Sequence, residues 1–187
     1  MSVEAAKRVW RARMRGVRAA IPAAERERRG QQGAAFAAEL VEAGCVCAYA
    51  ATGPEAPTGP LLEALHDAAA RVYLPRVTGD GMVMRHAERG GDLRPGRFGI
   101  PEPPADAEPL PPGGERLAVV VPGLAFDRRD RTRLGMGGGF YDRWTAGLRD
   151  AGGWVHIELI GLAFREQVLG GVPRDAHDLR VDRLWEI

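Results

Sequence analysis

A glycine-rich segment between Val121 and Arg143 carries the residue types best suited to binding an anion. It reads Val-Pro-Gly-Leu-Ala-Phe-Asp, then a basic loop, then Arg-Leu-Gly-Met-Gly-Gly-Gly-Phe-Tyr-Asp-Arg. Glycines allow backbone N–H groups to approach phosphate oxygens, and the start of a helix adds a favourable dipole. Arg133 and Asp142 flank the loop and would place a cation and a metal-binding carboxylate beside it. The alternative is that these glycines form ordinary turns.

The glycine loop matches neither of two common nucleotide-binding fingerprints. It lacks the Gly-Lys-Ser/Thr ending of a P-loop, in which the lysine and the hydroxyl serve the phosphates and magnesium. It also lacks the spacing of the dinucleotide fingerprint, because no acidic residue follows at the required distance. The sequence therefore predicts an anion cradle of a different type.

The N-terminal segment is strongly basic. From Lys7 to Arg18 the chain has six basic residues and no acidic one. Lys7 and Arg11 are four residues apart and so share one face of a helix. A solvated basic face is one interpretation, and an RNA-binding surface is another. Trp10 is the only aromatic residue nearby and the net charge is +1, which argues against nucleic acid as a partner.

The overall composition is that of a globular protein. The 187 residues are enough for one well-buried core, with 45% hydrophobic and 27% charged residues. No apolar run approaches the length of a membrane span, and no signal-peptide core follows the basic N-terminus. Cys45 and Cys47 are expected to be reduced residues on opposite faces of a strand. We expect a cytoplasmic monomer with one domain over residues 1–187.

Helix and strand patterns alternate along the chain. Helices are expected over residues 3–20, from Pro22 to near Gly44, from a cap at Thr58 to residue 69, and over 141–151. Strands are expected over residues 46–50, 72–74, 82–86, 117–121, 155–163 and 181–187. Residues 95–112, rich in proline, should form an extended surface segment. This alternation predicts a three-layer α/β/α fold with a largely parallel central sheet.

Ligands of such sheets bind beyond the carboxyl ends of the strands. The glycine loop follows one predicted strand, and a loop from Gly53 to Thr58 follows another. We expect the two loops to face each other across one crevice.

Several motifs in this chain match those of one enzyme family. They comprise the glycine segment already described, Lys7-x-x-x-Arg11, Glu55-x-x-Thr58, Leu74-Pro75-Arg76-Val77, Gly99-Ile100-Pro101-Glu102-Pro103, Gln167, Pro173, His177-Asp178 and Val181-Asp182. In this order and at these intervals, the chain resembles the 5-formyltetrahydrofolate cyclo-ligases, also called methenyltetrahydrofolate synthetases. The resemblance covers nearly the whole chain.

The resemblance implies a set of site residues for ATP, folate and magnesium. The implied catalytic residues are Lys7, Arg133 and Tyr141. The implied ATP contacts are Lys7, Arg11, Arg133, Leu134, Gly135, Met136, Gly137, Gly138, Gly139, Phe140 and Tyr141. The implied folate contacts are Glu55, Met136, Gly137, Gly138, Gly139 and Phe140. The implied magnesium ligands are Asp142 and Asp178.

Three of these acidic residues also have simpler interpretations from sequence alone. Asp142 could cap a helix, Asp178 could stabilise a turn, and Glu55 could be an exposed loop acid. The chain also departs from the family pattern. Met136 stands where the family often has a basic residue, and Phe140 replaces a usual tyrosine. The linker from Asp127 to Arg133 is one residue longer than usual.

The implied reaction is ATP- and Mg²⁺-dependent cyclisation of 5-formyltetrahydrofolate to 5,10-methenyltetrahydrofolate, with release of ADP and phosphate. The formyl oxygen attacks the γ-phosphorus, N10 of the same folate closes the ring, and phosphate leaves. The alternative is a family member that binds folate or nucleotide without turnover or with altered specificity.

Overall fold

The chain alternates helices and strands in the computed structural model, which describes residues 2–187. The α-helices are α1 (Val3–Ala20), α2 (Ala23–Gly33), α3 (Ala37–Val41), α4 (Gly59–Asp67) and α5 (Phe140–Ala151). The strands are β1 (Cys45–Cys47), β2 (Arg71–Thr78), β3 (Gly81–His86), β4 (Arg94–Pro95), β5 (Pro101–Glu102), β6 (Gly114–Val121), β7 (Ala125–Asp127), β8 (Arg133–Leu134), β9 (Trp154–Ala163), β10 (Val168–Leu169) and β11 (Arg183–Glu186).

The central sheet has the strand order β3-β2-β1-β6-β9-β11. The pairs β2–β1, β1–β6, β6–β9 and β9–β11 are parallel, and only the hairpin β2–β3 is antiparallel. Val46 in β1 pairs with Val72 on one side and with Ala118 on the other. The expected largely parallel sheet is confirmed.

Helices cover both faces of this sheet, which confirms the three-layer prediction. Leu40 of α3 and Leu61 and Leu65 of α4 pack on one face, in the same buried cluster as Val46. Helix α5 packs on the opposite face through Tyr141 and its half-buried neighbours.

Cys45 and Cys47 correct one expectation. Both are buried free thiols, but they lie in the same cluster on the α5 side of the sheet, not on opposite faces. The reason is the period of two along a strand, which directs residues i and i+2 to the same face. Val46, between them, faces the other layer.

A second, smaller sheet was absent from the sequence-based prediction. Its order is β10-β7-β8. In the chain, β7 and β8 lie between the end of β6 and the glycine loop, whereas β10 follows β9. Helix α1 packs on this sheet, with Met14 against Leu124, Leu134 and Val172 in one buried cluster. This packing fixes the basic face of α1 relative to the glycine loop.

Two local predictions also need correction. The second predicted helix is interrupted, because a 3-10 turn at Ala34–Phe36 separates α2 from α3. Thr58 occupies the N-cap position of α4, but its hydroxyl donates to the Tyr49 carbonyl at 2.6 Å and accepts from the Ala51 N–H at 3.1 Å. Thr58 therefore ties the loop after β1 to the helix instead of capping it.

In residues 2–187, none of the helices has the length and apolar character needed to cross a membrane.

Candidate active site

A cavity of about 680 Å³ opens at the carboxyl ends of the central strands. The loop after β1 lines one side of it, and the loop after β6 and the glycine loop line the other. The crevice expected between these loops is therefore present. A volume of this size is within the range that accommodates a small organic ligand.

The glycine loop owes its path to glycines in conformations that other residues avoid. Gly137 has φ +106° and Gly139 has φ +65°, both in the region favourable to glycine. Gly139 is the N-cap of α5, so the loop passes directly into the helix start. At Gly135 an added Cβ would lie 2.9 Å from Arg133 Nη1, so a side chain there would displace the guanidinium.

Arg133 lies buried in the cavity wall. Its Nε donates to the Pro122 carbonyl at 2.6 Å, and its Nη1 lies 3.3 Å from Asp142 Oδ2. Its Cζ is 5.2 Å from the centroid of the Tyr141 ring, a cation–π arrangement. These contacts hold the cation rigidly where β8 meets the glycine loop.

Lys7 on α1 is buried and forms an ion pair with Asp178, at 2.6 Å between Nζ and Oδ1. Its neighbour on the same face, Arg11, donates from Nε to the Gly135 carbonyl at 3.2 Å. The interpretation of these residues as a solvated basic face is therefore wrong for Lys7. The same face of α1 contacts the glycine loop directly.

Asp142 is held by groups distant from it in sequence. Its Oδ1 accepts from the Leu179 N–H at 3.1 Å, and its Oδ2 is paired with Arg133. Because Gly139 is the N-cap, the interpretation of Asp142 as the helix cap is wrong. Asp178 does stabilise a turn, since its Oδ2 accepts from the Asp175 N–H, and it pairs with Lys7 as well.

Asp142 contacts the residue next to Asp178, because it accepts from the Leu179 N–H. The Leu179 carbonyl in turn accepts from the Arg133 N–H at 2.8 Å. Residues 2–187 contain no cluster of three or more His, Cys, Asp or Glu side chains that could hold a metal ion unaided. Two carboxylates nevertheless suit magnesium, which takes one or two of them and completes its shell with phosphate oxygens and water. The donor set therefore fits Mg²⁺ bound together with a phosphate ligand.

Glu55 lines the cavity and is mostly shielded from solvent, so the exposed-loop interpretation is wrong. Its Oε2 accepts from the N–H of Thr52 at 3.0 Å. Its Oε1 lies 3.7 Å from Nη1 of Arg18, a residue that sequence reasoning did not select.

Arg18 is buried, lines the cavity and has an Nε with no hydrogen-bond partner. Burial lowers its pKa, and the nearby Glu55 carboxylate partly offsets this effect. The helical period could have indicated it. Arg11 and Arg18 follow Lys7 by four and eleven residues, which are close to one and three turns, so the three side chains lie on one face of α1.

Tyr141 is buried, and its hydroxyl has no hydrogen-bond partner in residues 2–187. Desolvation raises the pKa of Tyr141, and the smaller opposing effect of Arg133 does not cancel it. The phenol is therefore protonated at neutral pH and is available as a hydrogen-bond donor.

The remaining predicted loop residues differ in their positions. The cavity is lined by Gly135, Met136, Gly138, Gly139 and Phe140. Gly137 instead faces Arg11, and Leu134 is buried in the core beneath α1.

Two other motifs and several unpredicted side chains complete the cavity. Pro75 and Glu102 line it, and the buried Glu102 carboxylate accepts from the Val77 N–H at 3.1 Å and pairs with Arg76 at 3.5 Å. Further apolar wall residues, not predicted from sequence, are Val77, Met82, Phe98 and Ile100.

This arrangement combines an apolar cavity with a cationic and acidic cluster at one side. The sequence profile of the 5-formyltetrahydrofolate cyclo-ligase family matches residues 3–185. The chain belongs to this family. Membership confirms the resemblance seen in the motifs and makes the protein an enzyme of the cyclo-ligase family.

Individual relatives agree with the family assignment. A 5-formyltetrahydrofolate cyclo-ligase from Mycolicibacterium smegmatis is 35% identical over 139 residues, which cover 72% of this chain and 69% of that protein. One from Escherichia coli K12 is 29% identical over 158 residues, covering 79% and 83%.

Solved structures agree with the fold. The 5,10-methenyltetrahydrofolate synthetase of Aquifex aeolicus has a TM-score of 0.76 and 29% identity, covering 96% of this chain and 89% of its own. The synthetase of Mycoplasma pneumoniae has a TM-score of 0.71 at 20% identity, covering 95% and 96%, and supports the fold alone.

Proposed function

We propose that this protein catalyses the ATP- and Mg²⁺-dependent conversion of 5-formyltetrahydrofolate to 5,10-methenyltetrahydrofolate, with release of ADP and phosphate. In this proposal the whole chain acts as a single catalytic domain in the cytoplasm. Family membership supports the choice of substrate, co-substrate and metal, and the site geometry supports the residues named below.

One observation carries the proposal: residues far apart in sequence form a connected cluster of charges beside the cavity. Lys7 pairs with Asp178, the adjacent Leu179 bonds to both Asp142 and Arg133, and these two pair with each other. Such a cluster supplies the cations and carboxylates that a polyphosphate and its metal ion require.

In the proposed reaction these cations bind the triphosphate. Phosphoryl transfer depends mainly on positioning and on neutralising charge, so Lys7, Arg11 and Arg133 would stabilise the γ-phosphate as its bond to ADP breaks. Lys7 pairs with Asp178, and Arg133 pairs with Asp142. Asp142 and Asp178 would hold magnesium, which supplies further neutralisation of phosphate charge when bound.

The proposed folate end is the part of the cavity lined by Arg18, Glu55 and the apolar walls. Glu55 can accept hydrogen bonds from a pterin edge with two donors, and the unpartnered Arg18 Nε can donate to an acceptor. The apolar wall excludes water, which would otherwise hydrolyse the activated formyl group.

The proposed mechanism has two covalent steps, a phosphoryl transfer and a ring closure. The formyl oxygen attacks the γ-phosphorus and ADP departs. N10 then attacks the formyl carbon and loses its proton, and the carbon–oxygen bond breaks as phosphate leaves with the former formyl oxygen. The site contributes by holding N10 close to the formyl carbon, since proximity alone is worth several powers of ten.

The test is formation of the methenyl product, followed by its absorbance. Purified protein with 5-formyltetrahydrofolate, Mg²⁺ and ATP should form product, and omission of ATP or chelation of Mg²⁺ should abolish it. Replacing Lys7 by alanine should lower kcat/KM by at least about a hundredfold, because a cation facing the transferring phosphoryl group is lost.

Arg8→Ala is the matched control, since Arg8 is the exposed neighbour of Lys7 on α1. This variant should retain activity, and thermal unfolding of both variants should show that they are folded. Folded wild-type protein that forms no product would favour a relative that binds without turnover. In that case the exposed Met136, which replaces a usual cation, would be the first residue to exchange.

A further inference from the structure

Two arginines that pack against cavity-lining aromatic residues reach the same turn. Arg97 Nη1 donates to the Gly79 carbonyl at 2.6 Å, and Arg143 Nη2 donates to the Asp80 carbonyl at 2.8 Å. These are adjacent carbonyls of the tight turn between β2 and β3. Both guanidinium groups are therefore held by one turn, although they belong to segments 46 positions apart.

Both arginines are exposed, and among residues 2–187 neither forms an ion pair with a carboxylate. Each instead lies near an aromatic ring: Arg97 Cζ is 5.0 Å from the Phe98 ring centroid, and Arg143 Cζ is 5.4 Å from that of Phe140. The two rings, 6.4 Å apart, both line the cavity. The arginines thus form a doubly positive rim above two aromatic wall residues.

This rim faces away from the cluster proposed for ATP phosphates. Successive residues on a helix diverge by about 100°. Asp142 accordingly points to Arg133 and Leu179, whereas Arg143 points to the β2–β3 turn. Gly139 lies beneath Arg143, because an added Cβ there would be 2.6 Å from Nη1. The two groups of cations therefore lie on different sides of the first turn of α5.

We propose that Arg97 and Arg143 form a carboxylate-binding site that takes the glutamate tail of the folate substrate. This inference rests on the proposed function. A folate ends in glutamate, and each added glutamate brings one more carboxylate, so the end of the molecule that leaves the cavity is an anionic chain. Arginine forks pair well with carboxylates.

The experiment compares 5-formyltetrahydrofolate carrying one glutamate with the form carrying three. The ratio of kcat/KM for the two forms is measured for wild-type protein, for the double variant Arg97→Gln/Arg143→Gln, and for Arg149→Gln. Arg149 is an exposed arginine near the other end of α5 and serves as the control. Wild-type protein should prefer the longer tail.

The double variant should reduce that preference about three- to tenfold, as expected for exposed charge pairs, and Arg149→Gln should not. Raising the salt concentration should also reduce it in the wild type. The double variant alters two residues that bind one turn, so Arg97→Glu is also tested alone. It should weaken binding of the longer tail more than loss of the charge does, because the new carboxylate repels the tail.

Three results would overturn the proposal: no tail preference in the wild type, an equal loss in Arg149→Gln, or an increased KM for ATP with the tail ratio unchanged. The last would assign the arginines to phosphate. Calorimetric titration of both folate forms gives the same ratio from Kd. If wild-type protein forms no product, the proposed function is rejected, and the Kd ratio still tests the tail site.

Discussion

At the scale of single residues, Arg18 is the most informative side chain that the motifs did not select. A buried arginine with an unpartnered Nε is unfavourable, because the desolvated donor lacks a hydrogen bond. Its contact with the Glu55 carboxylate, at 3.7 Å, is too long to be a hydrogen bond. We interpret this side chain as one that a bound substrate completes.

We predict that Arg18→Met, which retains much of the side-chain volume, raises KM for 5-formyltetrahydrofolate about tenfold, because one charge-assisted hydrogen bond is lost. The KM for ATP should change little. Steady-state kinetics with each substrate varied in turn would measure both constants.

Arg15→Met is the control, since Arg15 is exposed on the same helix. Arg18→Lys should recover part of the folate KM, because it restores the charge without the full guanidinium. An Arg18→Met variant with unchanged KM for folate would show that this arginine is only structural.

At the scale of elements, helix α5 links the glycine loop to the sheet. Both of its ends are glycines in nearly the same left-handed conformation, Gly139 at φ +65° and Gly152 at φ +63°. Their surroundings differ: an added Cβ at Gly139 would contact Arg143, whereas at Gly152 nothing lies within 4 Å. Substitutions at the two positions therefore distinguish the cost of a left-handed backbone, which both share, from an effect on the site, which only Gly139 should show.

We predict that Gly139→Ala and Gly152→Ala each destabilise the protein by about 1 kcal/mol, the usual penalty for a left-handed alanine. Only Gly139→Ala should also lower kcat/KM, by about tenfold, because Gly139 lines the cavity and the added methyl group displaces the Arg143 guanidinium. Urea denaturation would measure stability and the methenyl assay would measure activity. Equal activity losses in the two variants would mean that the site is not sensitive to this loop.

At the scale of the whole molecule, Cys45 and Cys47 report on the integrity of the central sheet. Both are buried in β1, between β2 and β6. Burial raises the pKa of Cys45 and raises that of Cys47 well above its ordinary value. At pH 8 the folded protein therefore contains little of the reactive thiolate.

We predict that thiol labelling of the folded protein at pH 8 is at least about a thousandfold slower than labelling in urea, because it requires opening of the sheet. A Cys45→Ser variant isolates Cys47, the more deeply buried thiol. ATP with Mg²⁺ at about a hundred times Kd should slow the labelling roughly a hundredfold if it proceeds through global unfolding. Rapid labelling of the folded protein would contradict this account of the core.

The sequence by itself determined the elements whose signals are local. The first helix occupies residues 3–20 as predicted. Its end is marked in the sequence by Pro22, because a proline disfavours the helical conformation of the residue before it. The glycine loop and the start of α5 could likewise be predicted, because both lie in one contiguous run of residues. The alternation of these elements was enough to predict the layered fold, and the motifs were enough to predict the family.

Only the tertiary structure decided how these elements meet. The strands β7, β8 and β10 have two or three residues each, too few to show a period, so the sheet that positions α1 had no signal in the sequence. Lys7 and Asp178 are 171 positions apart, and their contact depends on the packing of α1 on that sheet. The arginine rim depends in the same way on a turn that both side chains reach. Periodicity describes neighbours along one element, whereas these contacts are set by the order of strands and by the packing of whole elements on one another.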